Sequence, residues 1–142
     1  MRILITDDDF VGRRKLRSIL SPYGTCTDVS DGELAIRAFE EAHRRSEPFD
    51  LVSMDIDMPG LRGTSVVNML RSWERHHTEK EGFVAAKVMM VTGMHDSKSV
   101  VSSFNAGCEA FITKPITPEK VRCALFELGL ITAEDDAKPS SL

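Results

Sequence analysis

Short apolar runs alternate along this chain with stretches in which apolar residues recur at three- and four-residue intervals, so strands and helices are expected in turn. Ile3 to Thr6 is an apolar run bounded by acids, and Leu16, Ile19 and Leu20 then follow at helical spacing until Pro22 and Gly24 stop them. Cys26 to Val29 is a weaker strand. Ser30-Asp31-Gly32-Glu33 after it has the Ser-x-x-Glu spacing that caps a helix start, with Leu34, Ala38 and Phe39 as the expected buried face. Leu51 to Met54 is the third strand, and beyond the Pro59-Gly60 turn Val66, Val67 and Leu70 carry a helix to Trp73. The stretch from Arg75 to Gly82 is polar enough for a helix end and an exposed loop. Val88 to Val91 is an unbroken apolar run, as in a central strand covered on both faces. Asp96 can cap a fourth helix holding Val100, Val101 and Phe104, with Asn105-Ala106-Gly107 as its stop. Ala110 to Thr113 is the fifth strand. Thr117 and Pro118 start a last helix with Val121, Leu125 and Leu128 on one face, and a polar tail follows from Thr132.

Five strand–helix pairs in strict order imply a doubly wound parallel α/β domain with right-handed crossovers and helices on both faces of the sheet. At 142 residues, with 42% hydrophobic and 28% charged residues, the chain suits one globular domain. A net charge of −4 provides no basic footprint, so direct nucleic-acid binding is not expected. Cys26, Cys108 and Cys123 are odd in number and widely spaced, as for reduced thiols, and no apolar run approaches the length of a membrane span; a cytoplasmic location is expected.

In such sheets ligands bind at the carboxyl ends of the strands, where strand order reverses. That rule gathers Asp7, Asp8 and Asp9 after the first strand, Asp55 and Asp57 after the third, Thr92 and Gly93 after the fourth, and Lys114 and Pro115 after the fifth. Two carboxylates about 4 Å apart repel by about 4 kcal/mol at an effective dielectric near 20, so an acidic cluster calls for a cation or shared protons. An all-oxygen donor set without His or Cys suits Mg²⁺. With a hydroxyl and an ammonium added, the set suits phosphoryl transfer, with Asp55 as the nucleophile. Each piece alone has a plainer explanation: an Asp-Asp after a strand caps a helix, Thr92 ends a strand, Lys-Pro makes a turn. Their joint occurrence on four tips of one fold is what carries the chemistry.

The segments ILITDDDF, DLVSMDIDMPG, VMMVTG and AFITKPI resemble, in order, the strand-tip motifs of two-component response regulator receiver domains of the single-domain chemotaxis type. The resemblance implies a flavodoxin-like sheet of order 2-1-3-4-5, a receiver over residues 1–128 and a polar tail over 129–142. It implies Asp55 as phosphoacceptor, with Asp7, Asp8, Asp55 and the backbone carbonyl of Asp57 serving Mg²⁺. Thr92 would be the switch hydroxyl, Lys114 the phosphate-pairing lysine and Phe111 the switch aromatic, with a cis bond before Pro115. The partners implied are a sensor histidine kinase or histidine phosphotransfer protein as donor, and a target protein on the surface of the fourth helix, fifth strand and fifth helix. Homodimer formation stays open. Such a protein is a switch with self-catalysed transfer and slow autodephosphorylation, not a turnover enzyme. Two departures are Leu61-Arg62-Gly63, which lacks the usual acid, and Thr6, where a branched aliphatic is commoner.

Two rivals use the same residues. A haloacid-dehalogenase-like phosphatase would employ Asp55-x-Asp57, although that family places Asp-x-Asp before its acidic pair rather than after it. A pseudo-receiver would keep the fold as a binding module without phosphorylation. His43, His76, His77 and His95 lack metal-ligand spacing and are expected in solvent-facing or loop positions. Met54, Met58, Met69, Met89, Met90 and Met94 are expected to pack in the core or loops, and Cys108 to be a small buried residue.

Overall fold

The computed structural model describes residues 1–77, 83–93 and 97–132. Strands and helices alternate through them: β1 (Arg2–Thr6), α1 (Phe10–Leu20), β2 (Thr25–Val29), α2 (Gly32–Arg44), β3 (Leu51–Asp55), α3 (Gly63–Arg75), β4 (Lys87–Thr92), α4 (Ser97–Ala106), β5 (Ala110–Thr113) and α5 (Pro118–Glu127). All paired strands run parallel, in the order β2-β1-β3-β4-β5, which is the doubly wound, flavodoxin-like arrangement. The order reverses between β1 and β3, and the crevice at that reversal is where such sheets take ligands.

Successive strand residues face opposite sides of the sheet, and here both sides are covered. Leu4, Val52, Met54, Val88 and Met90 face α2, α3 and the end of α4, packing on Ala35, Phe39, Val66, Val67, Leu70 and Ala106. Ile3, Ile5, Leu51, Met89, Val91 and Ile112 face α1 and α5, packing on Leu16, Leu20, Val121 and Leu125. Both cores run up to the carboxyl ends of the strands, so the loops there stand on a rigid base. Met58 joins the first core and Cys108 is buried beside it, whereas Met69 is exposed. Burial pushes the Cys108 thiol up to about 11.

The helix ends correct three expectations. The N-cap of α2 is Asp31, whose carboxylate accepts from the Leu34 amide at 2.8 Å, and not Ser30. Of the expected buried face of α2, Phe39 is buried, but Leu34 is exposed and Ala35 is buried in its place. In α4, Val101 and Phe104 are exposed while Ser103 and Ala106 are buried. His43 is no loop residue: its ring packs against Phe39, Trp73 and Phe83, at 5.0, 4.6 and 5.7 Å between centroids. His77 stacks on Trp73 at 3.8 Å. Asp96, Met94 and His95 lie outside the described residues, as does the tail beyond Thr132.

The end of α5 carries the packing past the helix. Gly129, at φ +73°, donates to the Phe126 carbonyl and Leu130 to that of Leu125, a left-handed turn that directs Leu130 and Ile131 back onto the α1/α5 core. Burial therefore continues to Ile131, beyond residue 128.

Candidate functional site

Four strand ends build one rim. At β1 the chain leaves the sheet at Asp7, whose amide still donates to the Val29 carbonyl of β2 at 3.2 Å. Asp7 is buried, while Asp8 and Asp9 emerge into solvent. Asp9 caps α1 by accepting from the Gly12 amide at 3.1 Å, and its own amide donates to Asp7 Oδ1 at 2.9 Å. α1 can start this close because of Gly12: a Cβ there would sit 2.9 Å from Asp7 Oδ2.

At β3, Asp55 is the last strand residue and is 2% exposed. Its Oδ1 accepts from the Asp57 amide at 3.0 Å, and its Oδ2 lies 3.4 Å from Lys114 Nζ. The Ile56 amide donates to Val91 of β4 at 3.0 Å, fixing the backbone just beyond the carboxylate. Gly63 makes room for α3 behind it, since a Cβ there would meet the Asp55 carbonyl at 2.3 Å. The apolar run of β3 thus ends on a buried acid held by an amide and an ammonium, the partners such a charge requires.

Thr92 ends β4, fully buried, and its hydroxyl donates to Asp57 Oδ2 at 2.9 Å. Its carbonyl accepts from the Lys114 amide at 2.7 Å, so β4 fixes the backbone from which Lys114 reaches Asp55. The Lys114–Pro115 bond is cis. Phe111 lies on β5, half-buried against the core of α2 and α3.

The electrostatics follow from this crowding. One carboxylate oxygen from each of Asp7, Asp8 and Asp55 lies within 4.8 Å of the others. Burial pushes the Asp7 carboxyl up to about 6; the Asp9 amide opposes that rise and the neighbouring Asp55 adds to it. Burial works to lower the Lys114 ammonium, but the charges of Asp55 and Asp7 outweigh it and leave the group raised. Clustered carboxylate oxygens fit a hard divalent cation such as Mg²⁺, which takes oxygen ligands and keeps several waters.

The structure brings the carboxylates of Asp7, Asp8 and Asp55 together beside Lys114, sets the Asp57 carboxylate on Thr92, and uses Asp9 as the cap of α1. It adds residues that the sequence did not single out. Arg13, near the start of α1, donates to the Asp7 carbonyl at 2.8 Å. Lys120, near the start of α5, reaches the carbonyls of Thr113 and Pro115, each at 3.0 Å. The available signal was a basic residue a few positions past each strand tip, which in sequence reads as one more solvated helix charge.

Comparison with known proteins settles the family. The family described as "Response regulator receiver domain" matches residues 3–126. This chain belongs to the receiver domain family. Among its relatives, the chemotaxis protein CheY1 of Helicobacter pylori is 28% identical over 122 residues, 86% of this chain and 91% of that protein. The transcriptional regulatory protein ResD of Bacillus subtilis is 31% identical over 121 residues, 84% of this chain but 44% of that protein. Among solved structures, a CheY-like receiver domain from Methanospirillum hungatei superposes with a TM-score of 0.67 at 29% identity, covering 95% of each chain. Receiver domains are phosphoacceptor switches of two-component signalling, and membership removes the dehalogenase-like phosphatase from consideration. No helix among the described residues is long and apolar enough to cross a membrane.

Proposed function

We propose that this receiver accepts a phosphoryl group on Asp55 from a phosphohistidine of a sensor kinase or phosphotransfer protein, and that the transfer switches a binding surface. The observation that carries the reading is the placement of Asp55: a buried carboxylate at a central strand end, 3.4 Å from the Lys114 ammonium and within 4.8 Å of the Asp7 and Asp8 oxygens.

In the transfer a carboxylate oxygen of Asp55 attacks phosphorus, the P–N bond to the donor imidazole breaks, and the bonding pair stays on the imidazole nitrogen. The Asp57 amide holds the other carboxylate oxygen and so orients the nucleophile. Lys114 neutralises charge on the oxygens of the transferred group. Mg²⁺, held by Asp7, Asp8, Asp55 and the Asp57 carbonyl, would supply further positive charge to those same oxygens. Thr92 then leaves Asp57 for the new anion, and the space it vacates admits Phe111, biasing the surface of α4, β5 and α5. That surface would take the target, and a second copy of the chain is one occupant it could accept. Residues 1–128 carry the switch in this reading, with residues 129–131 packed after them on the α1/α5 core.

The direct test is mass spectrometry after incubation with a small phosphodonor and Mg²⁺. One added phosphoryl group is expected on the parent and none on Asp55→Ala. Labelling of the variant at the parent level refutes the assignment, and a folded parent that takes no label and no beryllofluoride restores the pseudo-receiver.

A further inference from the structure

The acidic pair is held from behind by a group outside it. The Arg13 side chain, 14% exposed, makes two bonds in different directions: one terminal nitrogen donates to the Asp7 carbonyl at 2.8 Å, and Nε donates to Asp28 Oδ2 at 3.0 Å. Asp28 lies on β2 directly opposite Ile5 of β1, and its other oxygen accepts from Arg17, one turn further along α1. The ring of Phe10 covers the guanidinium, 5.5 Å away. Asp7 is thereby fixed through both of its peptide groups, its amide by Val29 of β2 and its carbonyl by Arg13. Neither Arg13 nor Asp28 belongs to the cluster of Asp7, Asp8 and Asp55.

A guanidinium can bridge a carboxylate and a carbonyl with its geometry fixed, which a flexible ammonium cannot do as well. The peptide that Arg13 grips is the one joining Asp7 to Asp8, so its orientation sets the directions in which both carboxylates leave the backbone. We propose that Arg13, braced by Asp28 and Arg17, is a positioning residue that presets the Asp7–Asp8 peptide for divalent cation binding. This rests on the proposed Mg²⁺ role of Asp7, Asp8 and Asp55.

The proposal has a sign that separates it from a charge effect. Removing a positive side chain beside a cation site strengthens cation binding if charge alone matters, whereas losing a positioning contact weakens it. Groups that orient metal ligands typically contribute about 10–100-fold to metal affinity, and one contact to a backbone oxygen belongs at the low end of that range. Calorimetric titration of the full chain with MgCl₂ is expected to show binding about tenfold weaker in Arg13→Gln and a smaller loss in Arg13→Lys. Adding Asp28→Asn to Arg13→Gln should cause no further loss, because Asp28 acts through Arg13. Asp8→Asn in the same series monitors the underlying site. If Asp8→Asn abolishes binding while folded Arg13→Gln binds Mg²⁺ as tightly as the parent or tighter, the positioning role is overturned and the metal site stands. If Asp8→Asn leaves binding intact, or the parent binds no Mg²⁺, both are overturned. Should Arg13→Gln fail to fold, Arg13→Lys decides: unchanged affinity overturns the role and weakened affinity supports it.

Discussion

At the scale of single residues, the site is a set of charges that oppose one another until a cation joins them. Asp7 shows this most directly, because burial and the charge of Asp55 push its carboxyl up to about 6 from an ordinary value near 3.8. A carboxyl raised in the folded state favours folding in its protonated form, so its stabilising contribution is present at low pH and is lost as pH rises through about 6. Above that pH the metal-free protein carries a destabilising charge. Asp7→Asn in EDTA should therefore be more stable than the parent at pH 8, by on the order of 2 kcal/mol. The advantage should shrink as pH falls from 6 towards 4, and thermal melts across that range check it; an Asp7→Asn protein less stable than the parent at pH 8 contradicts the assignment. The acids, Thr92 and Lys114 were legible in sequence because each ends an apolar run at a strand tip. Arg13 and Asp28 were not, because a positive charge on α1 and a negative one on β2 point at nothing until the register of β1 with β2 brings them together.

At the scale of elements, periodicity gave all five strands and five helices, since strands buried on both faces and amphipathic helices leave different signatures. The outward placement of Val101 and Phe104 on α4 was not legible in the same way, because a helix with apolar residues on its outer face as well leaves no single apolar stripe. α3 hides the opposite case. Its buried stripe of Val66, Val67 and Leu70 continues at helical spacing to Glu74, an acid where an apolar residue would be expected. Glu74 accepts from Arg71 at 2.7 Å and from the Ala86 amide at 2.8 Å. Arg71 also donates to the carbonyls of Ala86 and Gly107 and to Glu109, tying α3 to the ends of α4, β4 and β5. Removing one partner of a buried pair costs about 3–5 kcal/mol because the other charge stays buried. Arg71→Met should lose stability of that order in urea unfolding, with Asp55 labelling in the remaining folded protein intact. A loss below about 1 kcal/mol would show that solvent already satisfies Glu74.

At the scale of the whole molecule, the sheet order decides what can act together. β1 and β3 supply acids, β4 a hydroxyl and β5 an ammonium, while β2 lies beyond the acids and contributes the brace. The switch proposed for this arrangement has two states, and the structure shows what holds one of them: the Thr92 hydroxyl rests on Asp57, so a phosphoryl group on Asp55 must win it from a carboxylate. Such a bond on an exposed acceptor contributes about 1 kcal/mol, or roughly fivefold in an equilibrium. Asp57→Ala should lower the half-saturating beryllofluoride concentration, followed by ¹⁹F NMR with Mg²⁺ present, by about that factor. Asp57→Asn keeps an acceptor while losing the charge, and so separates the bond from simple repulsion. A higher half-saturation in Asp57→Ala would mean that Asp57 aids the activated state. The general form of this rim was legible from the order of the motifs, but the contact between Asp57 and Thr92 was not, because both side chains have several acceptable partners there. The order in which the rim is written along the chain has a consequence for biosynthesis. The acids at positions 7 and 8 are synthesised before Asp55, and Lys114 last of these, so a product that stops short of residue 114 carries the acids without the ammonium that lies 3.4 Å from Asp55.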